Sequence, residues 1–383
     1  MNKVKDKTLL LLSSIGAAAF LFMALVEHKP NRIAQGIKYT SFKFLGNSAI
    51  IVLILWIILM ALSFYDKKYK DVSVFLFTSI LIISIFWSIQ VNTAQYTEGN
   101  PAARITLSAG FYIQILSIYF MFSTYTEKIK DYRYIVIIGF VAIAASLVYF
   151  IMTGKLDDLS LIKEYNTKKT QFYDNLRIHA LLTFGAVITG AIIAIPLGFL
   201  AYSKKNLEGK IMVPLSIIET IPSLSLFGIL LVPLAGLGKL PFFEAIGVSG
   251  IGWAPAYIAL TLYTLLPIGR NTLTGFYSVE KDVVEAARGM GMKNSQILKK
   301  IELPLAFPVI FTGIRIAFIQ TIGGAVLAGL VGGGGLGTFV FLGLGEASPD
   351  LILLGVLPIV FFTVVLDYIL RFIEKTMRSA IHD

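Results

Sequence analysis

The strongest constraint on this sequence is a series of long apolar runs, each close to the length of a membrane span. We locate ten of them, at about residues 8–26, 44–65, 72–91, 105–123, 134–152, 176–202, 211–236, 252–269, 306–330 and 350–370. A helix of about 20 residues crosses the hydrocarbon core of a bilayer. A helix also satisfies its own backbone hydrogen bonds, which lipid cannot do. The sequence therefore predicts an all-α polytopic membrane protein with about ten transmembrane helices.

The composition supports a membrane protein and excludes several kinds of chemistry. Hydrophobic residues make up 56% of the 383 residues and charged residues 15%, too little charge to cover a soluble domain of this length. There is no cysteine, so disulfides and cysteine catalysis are excluded. His28, His179 and His382 show no metal-ligand spacing, so no metal site is predicted. The net charge of +10 indicates basic loops against anionic lipid rather than a nucleic-acid partner.

The distribution of lysine and arginine predicts the orientation in the membrane. With both termini inside, 21 of the 33 lysines and arginines lie in cytoplasmic segments, 11 lie outside, and Arg315 lies within a span. This is the bias expected of cytoplasmic loops. Lys3, Lys5 and Lys7 before the first apolar run resemble the start of a secretory signal. That run is longer than a signal core, however, and no small-x-small cleavage site precedes Glu27. We therefore predict a retained first helix and two cytoplasmic termini.

A polar stretch divides the predicted spans into two groups of five. Residues 153–175 form this predicted linker, with Asp157, Asp158, Glu164, Lys168 and Lys169. Residues 1–152 form an amino-terminal five-helix membrane region whose sequence carries no chemical motif, so its role is undefined. Residues 176–383 form the second membrane region, which is richer in glycine and proline, as expected of helices that pack closely and bend.

A polar, basic segment at 271–305 interrupts the second group of spans. It contains Glu285-Ala286-Ala287-Arg288-Gly289-Met290-Gly291 and then Ile301-Glu302-Leu303-Pro304. The alanines favour a short helix over 279–291 that Gly289 and Gly291 end, and leave a shallow surface for a partner protein. Glu285 is predicted early in this helix, where a carboxylate complements the helix dipole. Leu303-Pro304 is predicted to begin the next membrane helix. The alternative is an ordinary solvated loop.

The spacing of this segment resembles the cytoplasmic coupling loop of bacterial ABC-importer permeases, where the membrane subunit contacts its ATPase. Further segments resemble the glycine betaine, choline and osmoprotectant branch of these permeases. They are Ile221-Pro222-Ser223-Leu224-Ser225-Leu226-Phe227-Gly228, Leu262-Tyr263-Thr264-Leu265-Leu266-Pro267-Ile268 with Arg270-Asn271-Thr272, and Gly334-Gly335-Leu336-Gly337. The resemblance runs from about residue 181 to 378. The extra amino-terminal spans resemble a longer-form subgroup.

The resemblance implies a permease core in residues 176–383 of an importer in the bacterial cytoplasmic membrane. It implies cytoplasmic ABC ATPase subunits, which would use the ATP, since this chain has no phosphate-binding loop and binds no cofactor itself. It also implies a second permease subunit, identical or related, and an extracytoplasmic substrate-binding protein, expected as a separate polypeptide. The implied ATPase-coupling residues are Glu285, Ala286, Ala287, Arg288, Gly289, Gly291, Ile301, Leu303 and Pro304. The candidate pathway residues are Glu219, Pro222, Ser223, Tyr263, Arg270 and Asn271.

Three ionisable residues in or near the spans have more than one interpretation. Glu219 either attracts a quaternary ammonium group in the pathway or reaches water or a cation near the cytoplasmic end of its span. Arg270 is predicted to mark the cytoplasmic end of its span. Arg315 lies inside a span, so it either snorkels or pairs internally, with Glu219 as a candidate partner.

Other classes of function remain open from the sequence. A permease for another small solute, such as an amino acid, shares the coupling pattern. A secondary transporter would also be basic and polytopic, but we expect it to show paired broken helices in repeated halves. A membrane enzyme would need clustered acid–base or metal residues, which the sequence does not show. The sequence thus favours the translocation subunit of an osmoprotectant importer.

Overall fold

The computed structural model describes residues 4–32 and 34–382, with side chains through residue 377, and it is mainly helical. The helices are α1 (Lys7–Phe22), α2 (Ser41–Leu45), α3 (Ser48–Leu62), α4 (Lys70–Thr97), α5 (Ala109–Lys128), α6 (Arg133–Met152), α7 (Ser160–Thr167), α8 (Lys169–Ser203), α9 (Lys205–Thr220), α10 (Ser223–Leu237), α11 (Pro241–Ala245), α12 (Trp253–Tyr277), α13 (Lys281–Gly289), α14 (Asn294–Ile297), α15 (Leu303–Gly324), α16 (Gly337–Gly345) and α17 (Pro349–His382). The strands are β1 (Ala24–Lys29), β2 (Ile37–Thr40) and β3 (Arg104–Leu107). Lys3 lies outside the described residues, as do the side chains of Arg378 and His382. The predicted helical membrane class is confirmed.

The predicted number of ten spans is not confirmed. Within the described residues, five helical segments are long and apolar enough to cross a membrane, or six if the bent pair α9 and α10 counts as one span. Two more helices, α1 and α3, are apolar but shorter. Length and hydropathy therefore support a multi-pass membrane protein.

The chain forms two compact units, Met1–Thr167 and Lys168–Asp383. The stretch 153–175, expected from the sequence to be a polar linker, contains α7 and the first residues of α8. Ser160 and Glu164 on α7 are buried. Glu164 Oε1 accepts hydrogen bonds from Arg32 Nε at 2.8 Å and Arg104 Nη1 at 2.7 Å, so α7 is bound into the first unit.

A small antiparallel sheet in the first unit was not predicted. Its strand order is β2-β1-β3, with Val26 opposite both Tyr39 and Leu107. The prediction of one helix over 8–26 is therefore wrong at its end, because α1 stops at Phe22 and the chain continues as β1. The predicted span 105–123 likewise begins with β3, and its helix α5 starts only at Ala109. A continuous apolar run hides the change from helix to strand.

Polar and charged side chains join the start of α1 to the start of α4 and the end of α5 in the first unit. Asp6 caps α1 by accepting from the Leu9 N–H, and also accepts from Lys70 Nζ and Tyr125 Oη at 2.6 Å each. Burial alone raises the pKa of Asp6, but the hydrogen bonds and the nearby Lys128 charge lower that pKa well below its usual range. The ionised carboxylate therefore stabilises the contact of α1 with α4 and α5.

Small residues allow the core helices of the second unit to approach closely. A Cβ on Gly198 of α8 would lie 2.6 Å from the carbonyl oxygen of Gly269 on α12. A Cβ on Gly313 of α15 would lie 2.5 Å from Cβ of Asn271 on α12. Such contacts are typical of membrane helices, which gain packing energy only at short interhelical distances. They bring α8, α12 and α15 into one bundle.

The predicted span 211–236 is wrong as a single helix. Helix α9 ends at Thr220, α10 begins at Ser223, and their axes differ by 104°. Pro222 has no N–H to continue a helix and disfavours helical geometry in Ile221, whose ψ is 126°. The proline therefore explains the break, which lies inside an otherwise apolar sequence.

Candidate functional site

The predicted coupling segment contains the short helix α13. Its end has the hydrogen bonds of a Schellman motif, from the Met292 N–H to the Ala287 carbonyl at 3.2 Å and from the Gly291 N–H to the Arg288 carbonyl at 3.0 Å. Gly291 has a φ of +83°, the left-handed conformation that this motif requires. No atom lies within 4 Å of a Cβ built there, so backbone conformation rather than space requires the glycine.

The exposed surface of α13 differs in part from the prediction. The helix begins at Lys281 rather than at 279 and ends at Gly289 rather than at 291, so Glu285 is its fifth residue and lies just beyond the first turn. Any stabilisation by the helix dipole is weaker there than in the first turn. Ala287 is 2% exposed and packs within the protein, so only Ala286 of the two alanines lies on the surface. Glu285 and Arg288 are exposed, and within the described residues Glu285 has no ion pair.

After a turn at residues 290–293, the return from α13 to the membrane bundle is helical from Asn294 onward. After α14, residues Leu298–Glu302 form a π-helical turn that leads directly into α15. The prediction that Leu303-Pro304 begins the next helix is confirmed, with Pro304 in the first turn. Ile301 and Glu302 are half-buried. On the other side, α12 continues to Tyr277, so the turn out of the bundle begins at Ser278 rather than near 271.

Hydrogen bonds and a ring contact of two tyrosines join the residues before and after α13 to α8 and α9. Tyr202 of α8 donates to Glu302 Oε1 at 2.8 Å, and its ring stacks on Phe276 of α12 at 5.1 Å. Tyr277 donates to Glu208 Oε2 at 2.8 Å, which is the main cause of a raised pKa for Tyr277. The sequence reasoning missed this cluster, because its residues belong to distant segments and each tyrosine alone carries no signal.

A cavity of about 190 Å³ lies where the broken helix meets α12 and α15. Its lining residues are Glu219, Leu260, Tyr263, Gln320, Thr321 and Gly324. Tyr263 Oη donates to the Ile221 carbonyl oxygen at 2.6 Å and so satisfies a backbone group at the break between α9 and α10. Non-helical backbone and charged side chains at membrane depth occur where protein or a water-filled cavity surrounds them. The break, the carboxylate and the cavity therefore form one local arrangement.

The structure brings together some of the candidate pathway residues and not others. Glu219 and Tyr263 line the same cavity, and Pro222 and Ser223 lie at the break beside it. Gln320 and Thr321 were missed, because nothing in the sequence of α15 marks them.

Arg270 and Asn271 are absent from the cavity lining. Asn271 donates to the Pro267 carbonyl at 2.8 Å and packs where α12 meets α15. Arg270 is exposed, and α12 continues for two more turns beyond it to Tyr277. That Arg270 marks the cytoplasmic end of the membrane span stays a prediction.

Arg315 pairs internally, but not with Glu219. Its Nε lies 2.8 Å from Asp367 Oδ1 and its Nη1 lies 3.1 Å from Glu374 Oε2, both on α17. Thr312 donates to the other Glu374 oxygen at 2.9 Å. The alternative of internal pairing is therefore confirmed, whereas Glu219 as the partner is wrong. The two acids belong to the last helix, at positions that the sequence of α15 cannot indicate.

These features define a class of protein, a helical multi-pass membrane protein with an exposed helical loop between two core helices. Residues 186–379, half of the chain, match the family of the binding-protein-dependent transport system inner membrane component, and the chain belongs to this family. Residues 3–162 match the amino-terminal domain of the ABC transporter permease YehY.

Similar proteins come from several bacteria. The choline transport system permease protein OpuBB of Bacillus subtilis is 39% identical over 53% of this chain and 86% of that protein. The glycine betaine/carnitine/choline transport system permease protein OpuCB of Bacillus subtilis is 36% identical over 51% and 84%. The osmoprotectant import permease protein OsmW of Salmonella typhimurium is 38% identical over 52% and 88%.

Proposed function

We propose that this chain is the translocation subunit of an ATP-driven importer for quaternary ammonium osmoprotectants, such as glycine betaine, choline and carnitine. The observation that carries the proposal is the exposed α13, which ends in the turn at Gly291. After this turn, α14 leads as uninterrupted helix into α15. The proposal is supported by membership of the permease family and by the names of the similar proteins.

In the proposed mechanism, cytoplasmic ATPase subunits bind at the coupling residues around Glu285, and ATP is bound and hydrolysed there. Closure of the ATPases moves α13, and the helical connection through Leu298–Glu302 transmits this motion to α15. The hydrogen bond between Tyr202 and Glu302 extends the motion to α8. Packed helices switch between discrete arrangements rather than deforming continuously, so access alternates between the two sides of the membrane.

The proposed complex contains two permease subunits, identical or related, and a separate extracytoplasmic binding protein that delivers the solute. Both termini and α13 face the cytoplasm, as the distribution of lysine and arginine indicates. The pathway includes the cavity beside Glu219 and Tyr263 and the break at Pro222-Ser223. Residues 176–383 form the permease core, and residues 1–152 form an additional membrane region.

Uptake of radiolabelled glycine betaine, choline and carnitine into proteoliposomes tests this function. The permease is reconstituted with its ATPase and binding protein, and then with either component omitted. Uptake that requires ATP and both components supports the proposal. Uptake by the permease alone would instead indicate a secondary transporter. Uptake of an amino acid in place of all three solutes would indicate a permease for another small solute.

Replacing Gly291 by valine is expected to reduce ATP-driven uptake about tenfold. A residue with a Cβ costs roughly 1–2 kcal/mol in the left-handed conformation, so the end of α13 changes its path. The same replacement at Gly209 is a suitable control, because that glycine is exposed, has no positive φ and has no atom within 4 Å of its Cβ position. Equal uptake by the two variants, at equal amounts of permease in the membrane, would contradict the role of the turn.

A further inference from the structure

The cavity at the broken helix has an unbalanced charge. Among its six lining residues, Glu219 alone is ionisable at neutral pH, and no lysine, arginine or histidine belongs to the lining. Glu219 is exposed, and the part of the chain that the structure describes provides it with no ion pair. A small solute in this cavity therefore meets one carboxylate whose charge no neighbouring cation neutralises.

The nearest arginines along the lining helices do not correct this imbalance. Arg315 lies five residues before Gln320 on α15, about 7–8 Å along the helix axis, and is already paired with Asp367 and Glu374. Arg270 lies seven residues after Tyr263 on α12, about 10 Å along the axis. Neither arginine belongs to the cavity lining.

The other lining groups suit a quaternary ammonium group. Its methyl groups donate no conventional hydrogen bonds, so recognition depends on negative charge and on apolar or aromatic surface. Glu219 supplies the charge, Leu260 the apolar surface and Tyr263 an aromatic ring. The Tyr263 hydroxyl already donates to the Ile221 carbonyl, while Gln320 and Thr321 offer polar groups to a hydroxyl of the solute.

We propose that Glu219 makes this permease select, within its own pathway, quaternary ammonium cations that carry no carboxylate over zwitterionic ones. The inference rests on the proposed function. Choline carries one positive charge, so its attraction to Glu219 is unopposed. In glycine betaine the carboxylate lies close to the ammonium group, and its repulsion by Glu219 offsets most of the attraction. The permease thus discriminates between these solutes by the charge of Glu219, in addition to any discrimination by the binding protein.

The test compares maximal rates of choline and glycine betaine transport by the complete reconstituted importer, with each solute at a concentration that saturates the binding protein. In Glu219→Gln, we expect the choline rate to fall about tenfold relative to the betaine rate, because the replacement removes a full charge next to the solute but keeps the side-chain volume. Glu219→Asp retains the charge and is expected to keep most of the choline preference.

Glu244→Gln provides the matched control, because it removes an exposed carboxylate of α11 that is not part of the cavity lining. Its choline-to-betaine ratio should equal that of the unmodified importer. If Glu219→Gln leaves the choline-to-betaine ratio unchanged, or raises it, the inference is overturned and the proposed transport function still stands. An unmodified importer that moves neither solute overturns the proposed function as well.

Discussion

Glu285→Lys is expected to abolish ATP-driven uptake and to release the ATPase from the purified complex. Glu285 is exposed on α13 and has no ion pair within the described residues, so its replacement removes no contact that holds this chain together. The effect falls instead on the proposed partner, because reversing a charge opposite a basic group replaces attraction with like-charge repulsion. Co-purification of the ATPase and uptake into proteoliposomes measure the two losses.

The same charge reversal at Glu244 distinguishes a local effect from a general one. Glu244 is also exposed but belongs to α11, 41 residues before Glu285 in the sequence. Glu244→Lys should retain the ATPase, and both variants should reach the membrane in normal amounts. Full retention of the ATPase by Glu285→Lys, together with normal uptake, would remove α13 from the proposed coupling site.

Arg315→Leu is expected to destabilise the second unit by about 3–5 kcal/mol, the loss typical of breaking a buried ion pair. The side chains of Arg315, Asp367 and Glu374 are each no more than 20% exposed. Removing the arginine takes its charge away from Asp367 and Glu374 at the contact between α15 and α17. Thermal unfolding of the purified protein in detergent measures the effect, which should appear as a markedly lower melting temperature.

Two further variants separate the charge effect from a loss of packing. Arg371→Leu removes a 64% exposed arginine that also pairs with Asp367, and should cost little because Arg315 remains. A triple replacement of Arg315, Asp367 and Glu374 by leucine should recover much of the stability, because apolar groups need no charged partner. A single Arg315→Leu variant as stable as the unmodified protein would contradict a structural role for the network.

The coupling segment could be predicted largely from consecutive residues. The alanines that favour a helix, the glycine that ends it and the proline that begins the next helix are all local signals, and α13, Gly291 and α15 follow them. Burial was not predictable in the same way. Ala287 faces the protein and Ala286 faces outward, because the packing of neighbouring helices decides which side of a short helix is covered.

Errors in the predicted elements have identifiable physical causes. The break between α9 and α10 had a local signal in Pro222, but an apolar run of membrane length outweighed it. The strands also had a signal, since Ile37–Thr40 and Arg104–Leu107 are rich in β-branched residues and alternate in polarity. Such short segments form a sheet only when partners distant in sequence meet, which a search for long apolar runs does not detect.

The sequence by itself determined that the chain is a helical membrane protein with a polar, helix-forming segment between two apolar runs, because span length, helix formation and the left-handed turn at Gly291 depend on neighbouring residues. Only the tertiary structure decided that Glu219 and Tyr263 line one cavity and that Arg315 pairs with Asp367 and Glu374. These partners lie 44 to 59 positions apart in the sequence. Helix packing brings them together. From the sequence alone, any one of several acidic residues could have been the partner of Arg315.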